Sequence, residues 1–371
     1  SMIHRMQQTA IKDWLGKGKA IIVIGPRQVG KTTLVRQIVE NLNEKALWLT
    51  GDDPDVRSVL DNISLSRLRS VLGEHKIIVI DEAQRLTNAG LTLKLLTDHL
   101  PGTQLFVTGS SSLDIAAQNK ESLTGRKIEF QLFPLSFSEM VDEHGLITER
   151  GLLEQRLVLG FYPEVVKNAA PQAQKILADL ADGLMYKDLL TLDQVKKPSL
   201  LVKLLQALAL QVGNEVIYNE VGQLIGADPA TVEKYVDLLE QSFVIFRLPS
   251  LSRNARNEIK KGRKIYFYDN GIRNAIIKNF APLTLRNDKG ALWENFLIAE
   301  RLKKNAYSGR LCNTYFWRTA AQQEIDYIEE ADGQMDMRGI PRGRRAISAK
   351  SDLLVLRSDQ GRHGAWFGRR H

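Results

Sequence analysis

Four residues near the N-terminus have the types and the spacing of a phosphate-binding loop. The pattern G-x-x-x-x-G-K-[ST] is matched by Gly25, Gly30, Lys31 and Thr32. Glycine lets the chain turn tightly enough to aim successive backbone N–H groups at one anion. The lysine would reach the β- and γ-phosphates of a nucleotide, and the threonine would ligate Mg²⁺. The loop therefore predicts binding of a nucleoside triphosphate together with magnesium.

The stretches on either side of the loop are those that the motif requires. Residues 20–24 form an apolar run of strand length, and residues 33–39 carry apolar side chains at helical spacing. The phosphates would then lie at a helix N-terminus, whose partial positive charge favours anions. A glycine-containing turn between a strand and a helix is the structural alternative. The predicted nucleotide-binding residues are Gly25, Pro26, Arg27, Gln28, Val29, Gly30, Lys31, Thr32 and Thr33.

Two carboxylates, Asp81 and Glu82, follow the continuous apolar run of residues 77–80. Continuous hydrophobicity predicts a strand buried on both faces of a parallel sheet, and ligands of such sheets bind at the carboxyl ends of the strands. We expect Asp81 to hold Mg²⁺ together with Thr32, and Glu82 to polarise the attacking water as a base. A solvated acid pair that caps the next helix is the alternative.

Two further residues are candidates for contact with the γ-phosphate. Ser110 follows the predicted strand 104–108, where a hydroxyl can sense the phosphate or orient the water, although a serine-rich turn could instead cap a helix that begins at Leu113. Arg126 opens the predicted strand 125–130 and is a candidate arginine finger, acting within the chain or across a subunit boundary. An ordinary surface arginine is the alternative for Arg126.

Taken together, the motifs resemble the prokaryotic AAA-type ATPases that carry a C-terminal domain of unknown function. The resemblance extends over most of residues 3–330, and its most distinctive strings are residues 25–33, 80–84, 108–111, 125–126, 133–139, 160–164, 186–188 and 264–271. It implies ATP as the nucleotide. It also implies an α/β fold of the P-loop NTPase (RecA-like or AAA+) type with a parallel sheet, a helical lid, a winged helix and a restriction-endonuclease-like α/β end.

The pattern along the chain fits that architecture. Leucine-rich helical segments broken by prolines are followed by three helices and by two strands, residues 243–248 and 264–268, a pattern typical of a winged helix. We predict an ATPase domain, a helical lid, a winged helix and a degenerate nuclease-like end with an arginine-rich tail, at residues 1–142, 143–197, 198–271 and 272–371 respectively.

The segment between the two strands of the predicted winged helix, residues 253–264, is basic. It carries one acid, Glu258, and five cations that suit phosphate contacts, Arg253, Arg256, Lys260, Lys261 and Arg263. The helix that would enter a major groove presents acids that repel the DNA backbone, Glu233, Asp237 and Glu240. Duplex DNA at the basic segment and a protein partner therefore both stay open.

The C-terminal region holds only part of a second site. Glu294 in a predicted helix and Asp326 in a predicted strand resemble the first half of a nuclease-type Mg²⁺ site. The E-x-K strand that would complete it is approximated only by residues 348–350, with Ser348 in place of the ligand. After Gln334 the composition changes, since the last 37 residues hold eight arginines and one lysine. We expect this tail to be divergent and the domain truncated.

Composition sets the remaining expectations. The single cysteine, Cys312, cannot form an internal disulfide, which fits a reducing, cytoplasmic setting. No window approaches the ~18 apolar residues of a membrane span. The net charge of +8 permits a nucleic-acid partner without requiring one. The sequence thus predicts a Mg²⁺-dependent ATPase, either a monomer or a homo-oligomer, that couples ATP hydrolysis to a DNA or protein partner. The alternatives are a slow nucleotide-gated switch and an ATP-coupled nuclease.

Overall fold

The computed structural model of the chain describes residues 3–110, 123–189, 195–251, 262–318 and 323–338. The expected helix from Leu113, most of the basic segment 253–264 and residues 348–350 lie outside these ranges. The chain divides into two compact units, which are Ser1–Pro134 with Gln241–Phe243, and Leu135–Glu240 with Val244–His371.

The first unit is built on a sheet of five parallel strands. In chain order these are β1 Ala20–Ile24, β2 Ala46–Thr50, β3 Ile77–Asp81, β4 Gln104–Gly109 and β5 Lys127–Gln131. Their order across the sheet is β2-β3-β4-β1-β5. Every residue of β1 is buried, as continuous apolar strands in the middle of parallel sheets are. The predicted α/β fold with a parallel sheet is confirmed.

Helices connect the first four of these strands. The first unit contains a short 3₁₀ helix Ala83–Arg85 and the helices α1 Gln7–Lys12, α2 Lys31–Glu40, α3 Pro54–Asp61, α4 Leu65–Leu72 and α5 Ala89–His99. Helix α2 follows the phosphate-binding loop directly and buries Leu34, Val35 and Ile38. This burial fixes the N-terminus of α2 at the carboxyl end of β1.

The second unit contains ten α-helices among its described residues, together with a π-helix Gly183–Leu189 and a 3₁₀ helix Leu283–Leu285. The α-helices are α6 Phe137–His144, α7 Leu146–Gly151, α8 Leu153–Leu159, α9 Pro163–Val166, α10 Ala170–Asp182, α11 Pro198–Leu210, α12 Tyr218–Ile225, α13 Pro229–Gln241, α14 Asn270–Ile276 and α15 Lys289–Tyr307. Helix α6 begins with a capping box, in which Ser136 and Glu139 each satisfy a backbone N–H of the other.

Two antiparallel sheets complete the second unit. The strands β6 Glu215–Val216, β7 Ile245–Pro249 and β8 Arg263–Phe267 pair in the order β6-β8-β7. With α11, α12 and α13 they follow the chain order of the predicted winged helix, with β6 added. The other sheet has the order β11-β10-β9, from β9 Asn313–Arg318, β10 Glu324–Ala331 and β11 Gln334–Arg338. Strand β11 was not predicted.

Two buried arginines of the second unit hold one aspartate. Arg286 Nη2 lies 2.7 Å and Arg273 Nη1 2.5 Å from Asp288 Oδ2, and both arginine side chains are at most 3% exposed. Burial alone would raise the pKa of Asp288. The hydrogen bonds from the two guanidinium groups outweigh burial and lower the pKa of Asp288 to about 2. The charged carboxylate is therefore a stabilising group of this unit.

Asp288→Asn should lower the free energy of unfolding of the second unit by about 2 kcal/mol near neutral pH, because it removes that charge. A carboxylate with a lowered pKa stabilises the fold above its ordinary pKa, and the stabilisation is lost as the pH falls through the lowered value. The difference from wild type should therefore shrink below about pH 4 and vanish near a pH of about 2. Urea unfolding over a pH series measures it. Asp179→Asn, at an exposed position of α10, is the control; equal stability of the two variants near neutral pH would contradict the account.

Candidate nucleotide-binding site

The phosphate-binding loop runs from the end of β1 to the start of α2. Gly25 has φ +154° and Gly30 has φ +95°, values that only glycine adopts without strain. A Cβ atom on Gly25 would stand 1.9 Å from the carbonyl oxygen of Leu132. The loop therefore depends on glycine at both ends of the motif, for conformation at Gly30 and for space as well at Gly25.

The side chain of Lys31 bends back onto its own loop. Its Nζ donates to the carbonyl oxygens of Gly25 at 2.9 Å and Pro26 at 2.7 Å, and the residue is 4% exposed. An ammonium group in a buried setting is stabilised strongly by an anion, because charge-assisted hydrogen bonds are stronger than neutral ones. The loop thus keeps a buried positive charge at the position where the motif requires one.

The two predicted magnesium ligands are in contact. Thr32 Oγ1 lies 2.9 Å from Asp81 Oδ1 and 3.0 Å from Oδ2, although the residues are 49 positions apart. Thr108, at the end of β4, donates its hydroxyl to the same carboxylate. Strand β4 lies between β1 and β3 in the sheet, and this order brings the three residues together. Hydroxyl and carboxylate oxygens fit Mg²⁺, which takes few protein ligands and completes its shell with water and phosphate oxygens.

Glu82 is held by Gln84, which lies in the distinctive string 80–84 but was given no role by the sequence. Gln84 Nε2 donates to Glu82 Oε2, and it also donates to Ser110 Oγ at 2.9 Å. The backbone N–H of Ser110 donates to Gln84 Oε1 at 3.2 Å. Glu82 itself has a left-handed backbone, with φ +53°, and its N–H donates to Thr108 Oγ1 at 3.2 Å. The structure therefore connects Glu82 and Ser110 through Gln84.

Arg126 lies away from this group of residues. The N–H of Ala20 donates to its carbonyl oxygen, so Arg126 stands at the amino end of β1, whereas the loop starts at the carboxyl end. A strand rises roughly 3.3 Å per residue, so the whole length of β1 separates Arg126 from the loop. The Nε of Arg126 donates to Asp98 Oδ1 at 2.5 Å, and this hydrogen bond lowers the pKa of Asp98. A finger role would require the Arg126 of another copy, and it stays a prediction.

The acids of α13, and the one cation of the predicted DNA-binding segment that the structure describes, are paired within their own unit. Arg247 of β7 binds Asp237 at 2.7 Å and, through Nε, Glu240 at 2.7 Å. Glu233, the third acid, lies 3.8 Å from Arg263 Nη1. All three acids therefore have a cation beside them, and their repulsion of a DNA backbone stays a prediction. Among the five predicted cations only Arg263 lies in the described residues, where its Nη1 donates to Tyr218 Oη at 3.1 Å.

The two predicted nuclease-like carboxylates of the second unit lie around one lysine. Lys264 Nζ is 2.7 Å from Glu324, 3.2 Å from Glu294 and 3.7 Å from Asp326, and the lysine side chain is 3% exposed. Burial and the charge of Glu294 raise the pKa of Tyr266, whose hydroxyl donates to Glu294 at 2.7 Å. No cluster of three or more His, Cys, Asp or Glu within the described ranges is arranged to hold a metal ion. In this structure Lys264 is the counter-ion of the carboxylates.

Lys264→Met should destabilise the second unit by about 3 to 5 kcal/mol, because it leaves buried carboxylates without their cation. Adding Glu294→Gln should restore part of that loss, since it removes one of the buried negative charges. Urea unfolding near neutral pH measures both. The control is Lys203→Met, the same change at an exposed position of α11. If Lys264→Met unfolds at the same urea concentration as Lys203→Met, the carboxylates do not depend on this lysine.

Comparisons with known proteins place three families along the chain. Residues 17–141 match a family described as an AAA domain, which confirms the resemblance to AAA-type ATPases. Residues 150–283 and 289–337 match two domains of unknown function, DUF8612 and DUF4143. The AAA match covers the whole candidate site described above.

Relatives and a solved structure are similar to this chain over most of its length. An uncharacterized protein of Haemophilus influenzae is 24% identical over 303 residues, which are 76% of this chain and 74% of that protein. One of Mycobacterium tuberculosis is 26% identical over 338 residues, 90% and 73% of the two chains. The Walker-type ATPase PABY2304 of Pyrococcus abyssi is similar with a TM-score of 0.50 at 17% identity, covering 74% of this chain and 96% of that one. This likeness shows the fold. None of the helices in the described residues is long and apolar enough to span a membrane.

Proposed function

We propose, on the basis of the AAA domain at residues 17–141, that this chain is a Mg²⁺-dependent ATPase that hydrolyses ATP to ADP and phosphate. The observation that carries the proposal is the contact of Thr32 with Asp81 at 2.9 Å, directly beside Lys31 and Glu82. Residues of the types that bind phosphate, hold magnesium and activate water thus share one edge of the sheet.

Binding would use the loop and α2. Backbone N–H groups of the loop and the N-terminus of α2 would surround the phosphates. Lys31 would exchange its two neutral carbonyl acceptors for phosphate oxygens, which gives stronger hydrogen bonds. Thr32 and Asp81 would hold Mg²⁺, which offsets negative charge on the phosphate oxygens. The hydroxyl of Thr108 keeps Asp81 oriented toward Thr32.

Hydrolysis would depend on Glu82. Its carboxylate would accept a proton from the water whose oxygen attacks the γ-phosphorus, while the bond to the ADP oxygen breaks. In the described structure Gln84 donates to this carboxylate and to Ser110. Since Ser110 follows β4 at the same sheet edge, Gln84 would relay a contact between Ser110 and the γ-phosphate to the base.

The same hydrogen bonds favour a second candidate, a nucleotide-gated switch that hydrolyses slowly. The carboxylate oxygen that accepts from Gln84 is not available to a water molecule until that contact is released. Both candidates require nucleotide binding, which titration calorimetry with ADP, ATP and GTP tests. We expect saturable binding, with the adenine nucleotides preferred as the resemblance implies. Absence of binding by all three would reject the site.

We propose duplex DNA as the partner of this chain. Asp237 and Glu240 are paired with Arg247, so they repel phosphate less than unpaired acids would. A gel shift of labelled duplex that weakens with added salt would support DNA. If no shift occurs at low salt, a protein partner becomes the better proposal. If Arg126 acts as an arginine finger, a second copy of the chain would supply it.

A further inference from the structure

Arg5 is buried against the phosphate-binding loop. It precedes α1, lies 24 positions before Val29, and is 5% exposed. Its Nη1 donates to the carbonyl oxygen of Val29 at 2.5 Å. Its Nη2 donates to the carbonyl oxygen of Phe133 at 2.7 Å, in the segment that follows β5. One guanidinium group therefore joins the loop to the segment that follows β5, which runs beside the loop.

The contact at Val29 fixes the orientation of one peptide group. A trans peptide is planar, and its C=O and N–H bonds point in opposite directions. Since the carbonyl of Val29 is directed at Arg5, the N–H of Gly30 is directed away from Arg5. Gly30 precedes Lys31 and α2, where the motif uses backbone N–H groups to bind an anion. Arg5 Nη1 also lies 3.8 Å from the position of a Cβ atom on Gly30, so it supports the loop at this turn.

We infer that Arg5 is a positioning residue of the nucleotide site, which holds the Val29–Gly30 peptide so that the Gly30 N–H is available to phosphate. The inference rests on the proposed nucleotide binding. Arginine suits the task because its planar fork donates in two directions at once, which a lysine ammonium on a flexible stem does less rigidly. Arg5 acts on the loop and does not contact the nucleotide.

A general role in stability is the competing explanation, and Gln7 provides a matched control. Gln7 is 3% exposed, lies at the start of α1, and donates from Nε2 to the carbonyl oxygen of Gln131 at 3.0 Å. It therefore ties the same N-terminal segment to β5 through a backbone carbonyl outside the loop. Gln7→Ala should lower stability without changing the orientation of the Val29–Gly30 peptide.

The test compares phosphate binding with stability in the full chain. Wild type, Arg5→Lys, Arg5→Met, Gln7→Ala and Lys31→Ala are titrated with inorganic pyrophosphate and with ADP, well below the melting temperature of each protein. We expect both Arg5 variants to bind both ligands about tenfold more weakly or worse, by the same factor for each ligand, because the loss is in the phosphate subsite. Gln7→Ala should bind as wild type does, even where its melting temperature falls.

The possible outcomes distinguish a failure of the role assigned to Arg5 from a failure of the proposed function. If wild type binds, Lys31→Ala does not, and the Arg5 variants bind normally, the inference is wrong while the proposed function stands. If the Arg5 variants have a lower melting temperature but unchanged affinities, the inference is also wrong, because Arg5 then acts only on stability. If wild type fails to bind pyrophosphate and ADP, the proposed function fails and the inference fails with it. Equal loss of affinity in Gln7→Ala would also overturn the special role of Arg5.

Discussion

Replacing Glu82 with glutamine should lower ATP turnover by about 10²- to 10⁴-fold, the usual contribution of a positioned general base, while ATP binding stays close to wild type. Glutamine has nearly the same size and cannot accept the proton of the attacking water. The backbone of Glu82 keeps its left-handed conformation through the N–H bond to Thr108, so the loss should fall on chemistry and not on folding.

The measurement is phosphate release in a single turnover, beside the equilibrium affinity for ATP. The control is Glu74→Gln, the same change at an exposed position of the first unit. It should leave both quantities unchanged. If Glu82→Gln hydrolyses ATP as fast as wild type does, the general base must be another residue. A loss of ATP affinity equal to the loss of turnover would show that Glu82 acts in binding.

Replacing Lys31 with alanine should weaken ATP and ADP binding by about 10²-fold, the order expected for lost charge-assisted hydrogen bonds to phosphate. The effect should be larger for ATP than for ADP, because the motif predicts that the lysine side chain would reach the γ-phosphate. Turnover should disappear at ATP concentrations that saturate wild type.

Calorimetric titration with both nucleotides measures this loss. Lys45→Ala removes a lysine from an exposed position of the same unit and should bind as wild type does. If Lys31→Ala and Lys45→Ala have equal affinities, the ammonium bent onto Gly25 and Pro26 has no part in binding. The nucleotide site would then have to be sought away from this loop.

The parts of the site that the sequence predicted are those carried by local signals. The spacing of Gly25, Gly30 and Lys31 and the continuous apolar run before Asp81 each lie within a single stretch of chain. The roles of Arg5 and Gln84 could not be predicted from such local signals. Arg5 binds a carbonyl 128 positions away, and Gln84 contacts Ser110 only because β3 and β4 pair in parallel.

Two missed elements did have signals in the sequence. Asp53 and Pro54 form the start of α3, which was not predicted, and the Asp53 carboxylate accepts from the N–H of Asp55 at 2.8 Å as an N-cap does. Asp332 and Gly333 have φ values of +52° and +74° and connect β10 to β11, as Asp-Gly pairs do in tight hairpins. The change to an arginine-rich composition after Gln334 concealed that strand.

The pairing of the acids in α13 could not be predicted from spacing. Helical periodicity places Asp237 and Glu240 on the outer side of α13, away from its buried stripe. Their partner Arg247 lies in β7, and only the packing of β7 beside α13 brings the three together. Helical periodicity alone describes the outer face of α13 as acidic. Arg247 in fact offsets part of its negative charge.

The most direct test of the central claim is the release of phosphate from ATP by the wild-type chain, with Mg²⁺ and with the metal removed by a chelator. The account predicts release that saturates with ATP, requires Mg²⁺, and falls to background in Lys31→Ala. If the wild-type chain, at saturating ATP and Mg²⁺, releases phosphate no faster than Lys31→Ala does, the assignment of this chain as an ATPase is contradicted.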